Sequence, residues 1–403
     1  MRPTSFAVRL ALFYGAIFTL IGVFLPYFPV WLNARGLSAG EIGIVLAAPL
    51  FVRVLVTPGI SFAADKSGNR RLMLIALAWS AFLAGLLFFA ASSFLTILLV
   101  VVLFALFWTS VMPLTEAVAM QGVRRSGLDY GRMRLWGSLS FIAASIGGGL
   151  AIQNWGSQAA LWIFIGATAS VAVMSFALPQ PTGKGWLRAA APVPEIRLAD
   201  ALRLARNPLF LALLFATALV QGSHAVYYGF ATLHWRSVGI PMTDIGQLWA
   251  TGVVAEIALF AVSRRVVAAY GPVRLIMFAG FASVLRWPLL TLDPPLEVLF
   301  PLQLLHAFTF GAAHLGALYF IAAAVPDQYS ATAQGLYASV AVGIALGLGV
   351  AIAGPLYNSL GAEAYWAMGL LGALSILGSW WLMVHWDGKH LPMTTPSSRH
   401  SAP

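Results

Sequence analysis

The chain has 403 residues, 60% of them hydrophobic and 9% charged, with a formal net charge of +10 and no cysteine. A soluble protein carries roughly 25% charged residues, so a water-soluble globule is excluded, and the lack of cysteine excludes disulfides and thiolate metal sites. The net positive charge raises nucleic acid as a partner, but the placement of that charge, described below, argues against it.

The apolar material comes in runs of about twenty residues, the length that crosses a hydrocarbon core roughly 30 Å thick. Within lipid such a backbone must be helical. The first run, Phe6 to Trp31, is too long for a signal-peptide core and lacks a small-residue cleavage site, so it reads as a retained span. Spans 1 to 12 are predicted near 6–31, 41–63, 71–91, 94–119, 132–153, 158–178, 208–235, 243–266, 273–292, 296–324, 330–356 and 362–384. The long connection 179–207 is rich in Pro, Ala and Arg, and its second part sets Ile196, Leu198, Leu202 and Leu204 among basic residues. That suits either a short helix on the membrane surface or an unstructured linker.

Of the 23 Lys and Arg residues, 18 lie in the two tails, the alternate connections and the span ends beside them, two (Arg35 and Arg236) in the opposite connections, and three (Arg53, Arg134 and Arg286) inside spans away from those ends. This is the positive-inside asymmetry, with both termini cytoplasmic. The chain also repeats itself at a spacing of 203 residues: "RGLSAGEIG" (35–43) matches "VGIPMTDIG" (238–246), and Gly68, Arg71 and Leu72 match Gly271, Arg274 and Leu275. Six spans plus six in parallel halves place a site near the midplane between them. The expected fold class is therefore an all-α membrane protein, with twelve transmembrane helices in two six-helix pseudo-symmetric halves. Residues 1–178 form the first bundle, 179–207 a cytoplasmic linker, 208–385 the second bundle and 386–403 a cytoplasmic tail.

Ionisable groups within spans are costly and are candidates for function. They are Arg53, Glu116, Arg134, His224, Glu256, Arg286, His306 and His314. Glu116 and Arg134 stand nine residues either side of Arg125, the centre of the turn between spans 4 and 5. On antiparallel helices this puts them at one depth. They are set either to pair or share a ligand, or to snorkel toward the surface. Arg286 and His306 stand ten residues either side of Leu296 in the same way, but deeper. Arg286 needs a counter-ion, and Glu256 is the acid predicted deep in that half. A carboxylate between burial and a nearby Arg is suited to load and release a proton, and a histidine titrates in the useful range. Arg53 and Glu256 occupy equivalent repeat positions, which raises a contact across the cavity.

The loop "SFAADKSGNRRLM" (61–73) resembles that between spans 2 and 3 of the major facilitator superfamily, G-x-x-x-D-R/K-x-G-R-R/K. Ser61 stands in place of the first glycine and Asn69 in place of an arginine. The resemblance implies the major facilitator fold and a conformational latch at Asp65, Gly68, Arg70 and Arg71. The second half has Ala268 in place of Asp65, so the latch is one-sided. Glu116 and Arg134 within "VMPLTEA" and "LDYGRMRLWGS", together with Arg286 and His306, resemble the lactose permease type of proton symporter. There the first pair holds substrate and the second belongs to the proton machinery. Thr309 replaces that family's acid after the span 10 histidine, and the span 8 acid, Glu256, lies about one turn further along its span than that family's, so sugar specificity does not carry over. "FLPYFPVWL", "LVQGSHAVYYGF", "GVVAEI", "VLRW" and "LQLLHAFTFGAAHL" make the chain resemble the bacterial phenylpropionate permease family along almost its whole length.

That resemblance implies a proton-coupled importer of a small organic solute, such as an aromatic carboxylate, in the bacterial inner membrane. Nucleoside or sugar symport and drug–proton antiport are the alternatives. The expected substrate-binding residues are Glu116, Arg134, Arg53, Trp136, His224 and Tyr228, with Tyr227 and Trp249 as further stacking candidates. Glu256, Arg286 and His306 are expected to couple the proton. No cofactor or metal is expected, the proton gradient supplying the energy. The expected partners are substrate, protons and lipid, for a monomer that binds no nucleic acid. A membrane-embedded enzyme is disfavoured: there is no H-E-x-x-H. His306 and His314, eight residues apart, should sit about 80° apart around an α-helix, a poor metal pair.

Overall fold

The computed structural model describes residues 3–126, 128–178 and 198–391. These residues are almost entirely helical. The spans are Ser5–Ala34, Ala39–Ala64, Arg70–Phe89, Phe94–Val123, Tyr130–Trp155, Gln158–Ser175, Pro208–Ser237, Met242–Ala261, Pro272–Leu290 and Leu296–Ala324, followed by the long stretch Ser330–His385. Gly361, at φ 57°, breaks that stretch into spans 11 and 12, with a short 3-10 turn, Gly361–Ala364, between them. Span 8 ends earlier than predicted, and a separate helix, Ser263–Tyr270, follows it. Of the 179–207 connection, Leu198–Ala205 forms the short helix, and its Leu204 is fully buried against Phe210 and Leu213. The rest of that connection and the tail beyond Leu391 lie outside the described residues.

Local sequence explains the ends of the helices. Ser93 and Thr96 form a capping box at the start of span 4, Asn69 caps span 3, and Asn207 followed by Pro208 opens span 7. The repeated glycines share a backbone conformation that L side chains rarely adopt. Gly36 and Gly239 have φ of 82° and 92°, and Gly68 and Gly271 have 66° and 74°. The sequence repeat is thus a repeat of turn geometry. Of the predicted latch, Gly68 makes the expected turn. Arg71 Nε and Nη2 donate to the carbonyls of Leu178 and Phe176, at 2.8 and 2.7 Å. It caps the last turn of span 6. Arg70 is engaged, and the side chain of Asp65 lies outside the described residues.

The two ends of the molecule are built differently. One face carries most of the Lys and Arg and is called here the basic face. At the opposite, sparsely charged face, a single apolar core draws on both halves, from Leu20, Trp31 and Ile42 through Trp235 and Ile245 to Val350 and Tyr365. Toward the basic face the halves have separate cores: one runs from Phe6 to Leu178, the other from Leu204 to Leu391.

Glycines let the halves touch backbone to backbone at the sparsely charged face, as small residues do between membrane helices. A Cβ on Gly43 would stand 2.8 Å from the Val350 carbonyl. One on Gly354 would collide with the carbonyl of Ala39, and one on Gly149 with that of Met242. Polar ties reinforce the seam: Arg236 donates to Ser157 at 3.2 Å, and the Met242 amide to Gln153 at 2.9 Å. His234 bonds Asp293 at 2.5 Å and the Tyr357 hydroxyl at 3.0 Å, tying together spans 7 and 11 and the turn between spans 9 and 10.

This seam is open to test. Gly354→Leu is expected to hold spans 2 and 11 apart at the sparsely charged face. In the naturally cysteine-free chain, Ile42→Cys, at a position only 1% exposed, should react slowly with a membrane-impermeant maleimide. Adding Gly354→Leu should speed that labelling severalfold. Equal rates would mean that the glycine does not control closure.

Candidate functional site

Between the halves lies a cavity of about 190 Å³. Span 5 contributes Arg134, Ser138 and Phe141 to its wall, and span 1 contributes Phe18, Ile21 and Leu25. Facing them are Tyr227 and Tyr228 from span 7, Trp249, Val253 and Glu256 from span 8, and His306 and Phe310 from span 10. The spacing Trp249, Val253, Glu256 is that of one helical face.

On the first-half side, Arg134 Nε lies 3.7 Å from Glu116 Oε1, and both side chains are 29% exposed. The guanidinium sits over the ring of Phe18, 3.8 Å from its centroid. Of the two readings left open by spacing, pairing is the one observed. The ion pair is long, so Arg134 is not fully committed to Glu116 and its planar fork can take a second anion.

The second-half side is organised by Arg286, which is fully buried. Its Nη2 donates to Gln303 Oε1 at 2.8 Å, and its Nη1 to Thr309 Oγ1 at 3.0 Å and to His306 Nδ1 at 3.3 Å. Tyr227 and Trp287 clamp the guanidinium, each ring centroid 4.6 Å away. The Tyr227 hydroxyl donates to the same Gln303 oxygen at 2.9 Å. The predicted counter-ion is not there: among the described residues no carboxylate pairs with Arg286. Glu256 is 3.8 Å from His306 Nε2 instead. A carboxamide, a hydroxyl and two aromatic faces take the place of the acid, and a desolvated cation–π contact is worth about 2 kcal/mol.

These bonds fix proton positions. Arg286 can only donate, so His306 Nδ1 must be a bare acceptor. His306 is therefore neutral and carries its proton on Nε2, the nitrogen facing Glu256. By the same logic His224, whose Nδ1 lies 3.0 Å from the Val220 carbonyl, donates there and accepts from Thr309 on Nε2 at 3.1 Å. Thr309 thus links His224 to Arg286, which itself bonds His306.

Of the predicted substrate-binding residues, Arg134 and Tyr228 line the cavity and Glu116 pairs with Arg134. Three do not reach it. Trp136 is 58% exposed on the outer surface of span 5, because two residues on from Arg134 is about 200° round a helix. His224 is fully buried behind Tyr228, stacked on it at 5.3 Å. Arg53 is half-buried in span 2 and pairs with nothing among the described residues, Glu256 included. Of the residues expected to couple the proton, Glu256 and His306 line the cavity, and Arg286 stands behind His306. Sequence reasoning missed Gln303 and the Phe18 shelf. Gln303 lies three residues before His306, one helical turn away, and a polar residue at that spacing in an apolar span was the available signal.

The model of the MFS_1 like family matches residues 7–368. A probable 3-phenylpropionic acid transporter of Escherichia coli (strain K12) is 33% identical over 376 residues, covering 90% of this chain and 94% of that one. Maltose permease of Geobacillus stearothermophilus is 28% identical over 335 residues, 83% of each chain. The crystal structure of the nucleoside transporter NupG superposes with a TM-score of 0.80 at 15% identity, covering 95% of this chain and 99% of that one. The chain belongs to the MFS_1 like family and is a multi-pass membrane transporter of the major facilitator superfamily.

Proposed function

We propose that this transporter is a proton-coupled symporter that imports a small aromatic carboxylate, such as 3-phenylpropionate, by alternating access. The observation that carries the reading is one cavity in which Arg134 faces Glu256 and His306 among aromatic walls. Arg134 offers its fork to a carboxylate. Phe18, Phe141, Tyr228 and Trp249 offer ring faces and edges. The volume of about 190 Å³ falls below the roughly 300–1,000 Å³ of pockets for drug-sized ligands, which favours a one-ring solute over a disaccharide. The relative described as a probable 3-phenylpropionic acid transporter points the same way.

Glu256 is the better proton carrier of the coupling trio. His306 cannot take a second proton while Arg286 donates to its Nδ1, whereas Glu256 is 22% exposed to the cavity and accepts a proton without breaking that bond. The transmembrane proton gradient is then the energy source, with no cofactor. With the basic face cytoplasmic and both termini there, the separate cores of that face support the reading of an inward-open transporter in the bacterial inner membrane. The halves 1–178 and 208–385 rock about the cavity, and a monomer suffices. The 65–71 loop is retained as the latch, with Arg71 anchoring it to span 6.

Purified protein in a thermal-shift panel of aromatic acids, nucleosides and sugars should be stabilised most by 3-phenylpropionate. A larger shift with a nucleoside or maltose would replace the substrate assignment. Arg134→Lys should weaken binding by about 1.5–3 kcal/mol, the range for a hydrogen bond to a charged group, or roughly ten- to hundredfold in Kd. Glu116→Gln should cost less, since it removes a long ion pair. Wild-type affinity in both would remove the pair from the site. In reconstituted vesicles Glu256→Gln, which mimics the protonated carboxyl, should retain substrate exchange and lose gradient-driven accumulation. Full accumulation by this variant would sink the carrier assignment.

A further inference from the structure

His314 has no part in the coupling trio, yet the fold connects it to that group. On an ideal α-helix it would stand about 80° round from His306. Span 10 is not α-helical there: Ala307–Ala312 is a π-helix. The wider turn brings His306, Phe310 and His314 into one column. Their rings stack at 5.4 and 5.9 Å with interplanar angles of 7° and 8°. The Cβ-side space of Gly311, inside the π segment, is shared with Glu256. At the far end His314 Nδ1 lies 3.3 Å from the hydroxyl of Tyr337 in span 11, and a second π-helix, Ala338–Ala345, begins at the next residue. Two π segments, a feature that collects at functional positions, thus flank a single hydrogen bond between spans 10 and 11. His314 is half-buried, while Tyr337 is buried behind it.

Resting on the reading that Glu256 carries the proton, we propose that His314 is the inward-side proton acceptor of the transport cycle, the station between the Glu256–His306 pair and water at the basic face. In the receptive form Nδ1–H donates to the Tyr337 oxygen, which leaves Nε2 bare. The Glu256 carboxyl gives up its proton through water in the cavity and becomes a carboxylate. Nε2 takes that proton, the imidazolium then donates from both nitrogens, and Nε2 releases its proton to the inner solution. Tyr337 keeps its own proton throughout and fixes the tautomer.

The charged and titratable groups bearing on His314 are few. Tyr337 faces it from span 11, the cation Arg134 lies on the span 5 wall of the cavity, and His306 is separated from it by the Phe310 ring. Spans 7 and 9 meet its neighbour Ala313 with Val220 and Ala279, and the 263–270 helix meets Leu315 with Val266 and Val267, all apolar.

The test uses full-length protein in vesicles loaded with a pH dye, with labelled 3-phenylpropionate as probe. Net efflux, equilibrium exchange and proton movement are read across a range of internal pH. His314→Gln is expected to lower the ratio of net flux to exchange by roughly tenfold or more, as loss of a positioned proton acceptor does. It should also flatten the internal-pH profile and raise the solvent isotope effect, while substrate affinity changes less than twofold. Tyr337→Phe, which keeps the ring and loses the hydroxyl, should shift the same profile with a smaller loss of flux, and it carries the test if His314→Gln fails to fold. A wild-type profile and isotope effect in either folded variant overturns the assignment. So does loss of affinity and exchange together with net flux. Wild-type transport that moves no proton overturns the coupling reading itself, and an unchanged Glu256→Gln separates that failure from a failure at His314.

Discussion

The second half of the transporter is arranged around one electrostatic constraint, the guanidinium of Arg286 held without a carboxylate. Removing a charge from water costs several kcal/mol even after local relaxation. Here that cost is met by donors' partners and ring faces and not by a counter-charge: Gln303, Thr309 and His306 accept its protons while Tyr227 and Trp287 cover its faces. Because none of these groups is an anion, the positive charge stays uncompensated at short range. It dictates that His306 stays neutral with its proton turned toward Glu256, and through Thr309 it sets the tautomer of His224. The cation therefore governs the protonation of its neighbours without itself lining the cavity.

Much of this was legible in the sequence, and for identifiable reasons. Span lengths and turn glycines are local, so the twelve helices and their repeated turns could be read directly. Depth was legible as well: counting equal distances from a turn brought Arg286 to His306 and Glu116 to Arg134. What could not be read was azimuth. Trp136 was expected at the site and faces outward, and His224 packs behind the wall. The counting that fixes depth says nothing about which way a side chain points once neighbouring helices are placed. Arg71 was read as part of a latch, and its bonds to the end of span 6, a partner more than a hundred residues away, were not legible in the sequence. The π-helix in span 10 is invisible to a period of 3.6, and it changes which residues share a face.

The substitution of a hydroxyl for an acid at position 309 shows how a site can keep its geometry and change its electrostatics. Thr309 bridges Arg286 and His224, and the acid of this region is Glu256 on the neighbouring span 8. There it meets Arg134 across the cavity instead of Arg286 behind the wall. Glu256 and Arg134 share one compartment, so a charge gained or lost at either alters the field felt by the other.

The unequal cores at the two faces bear on how the chain is made. The core of the first half near the basic face is complete within residues 6–178, so it can consolidate while the second half is still being synthesised. The core at the opposite face needs residues from Leu20 to Met368. It closes loops hundreds of residues long and can form only after span 11 and the start of span 12 have left the ribosome. During biogenesis the first six spans must therefore wait in the bilayer with that surface uncovered, against lipid or an insertion factor, until the last two helices arrive to seal it.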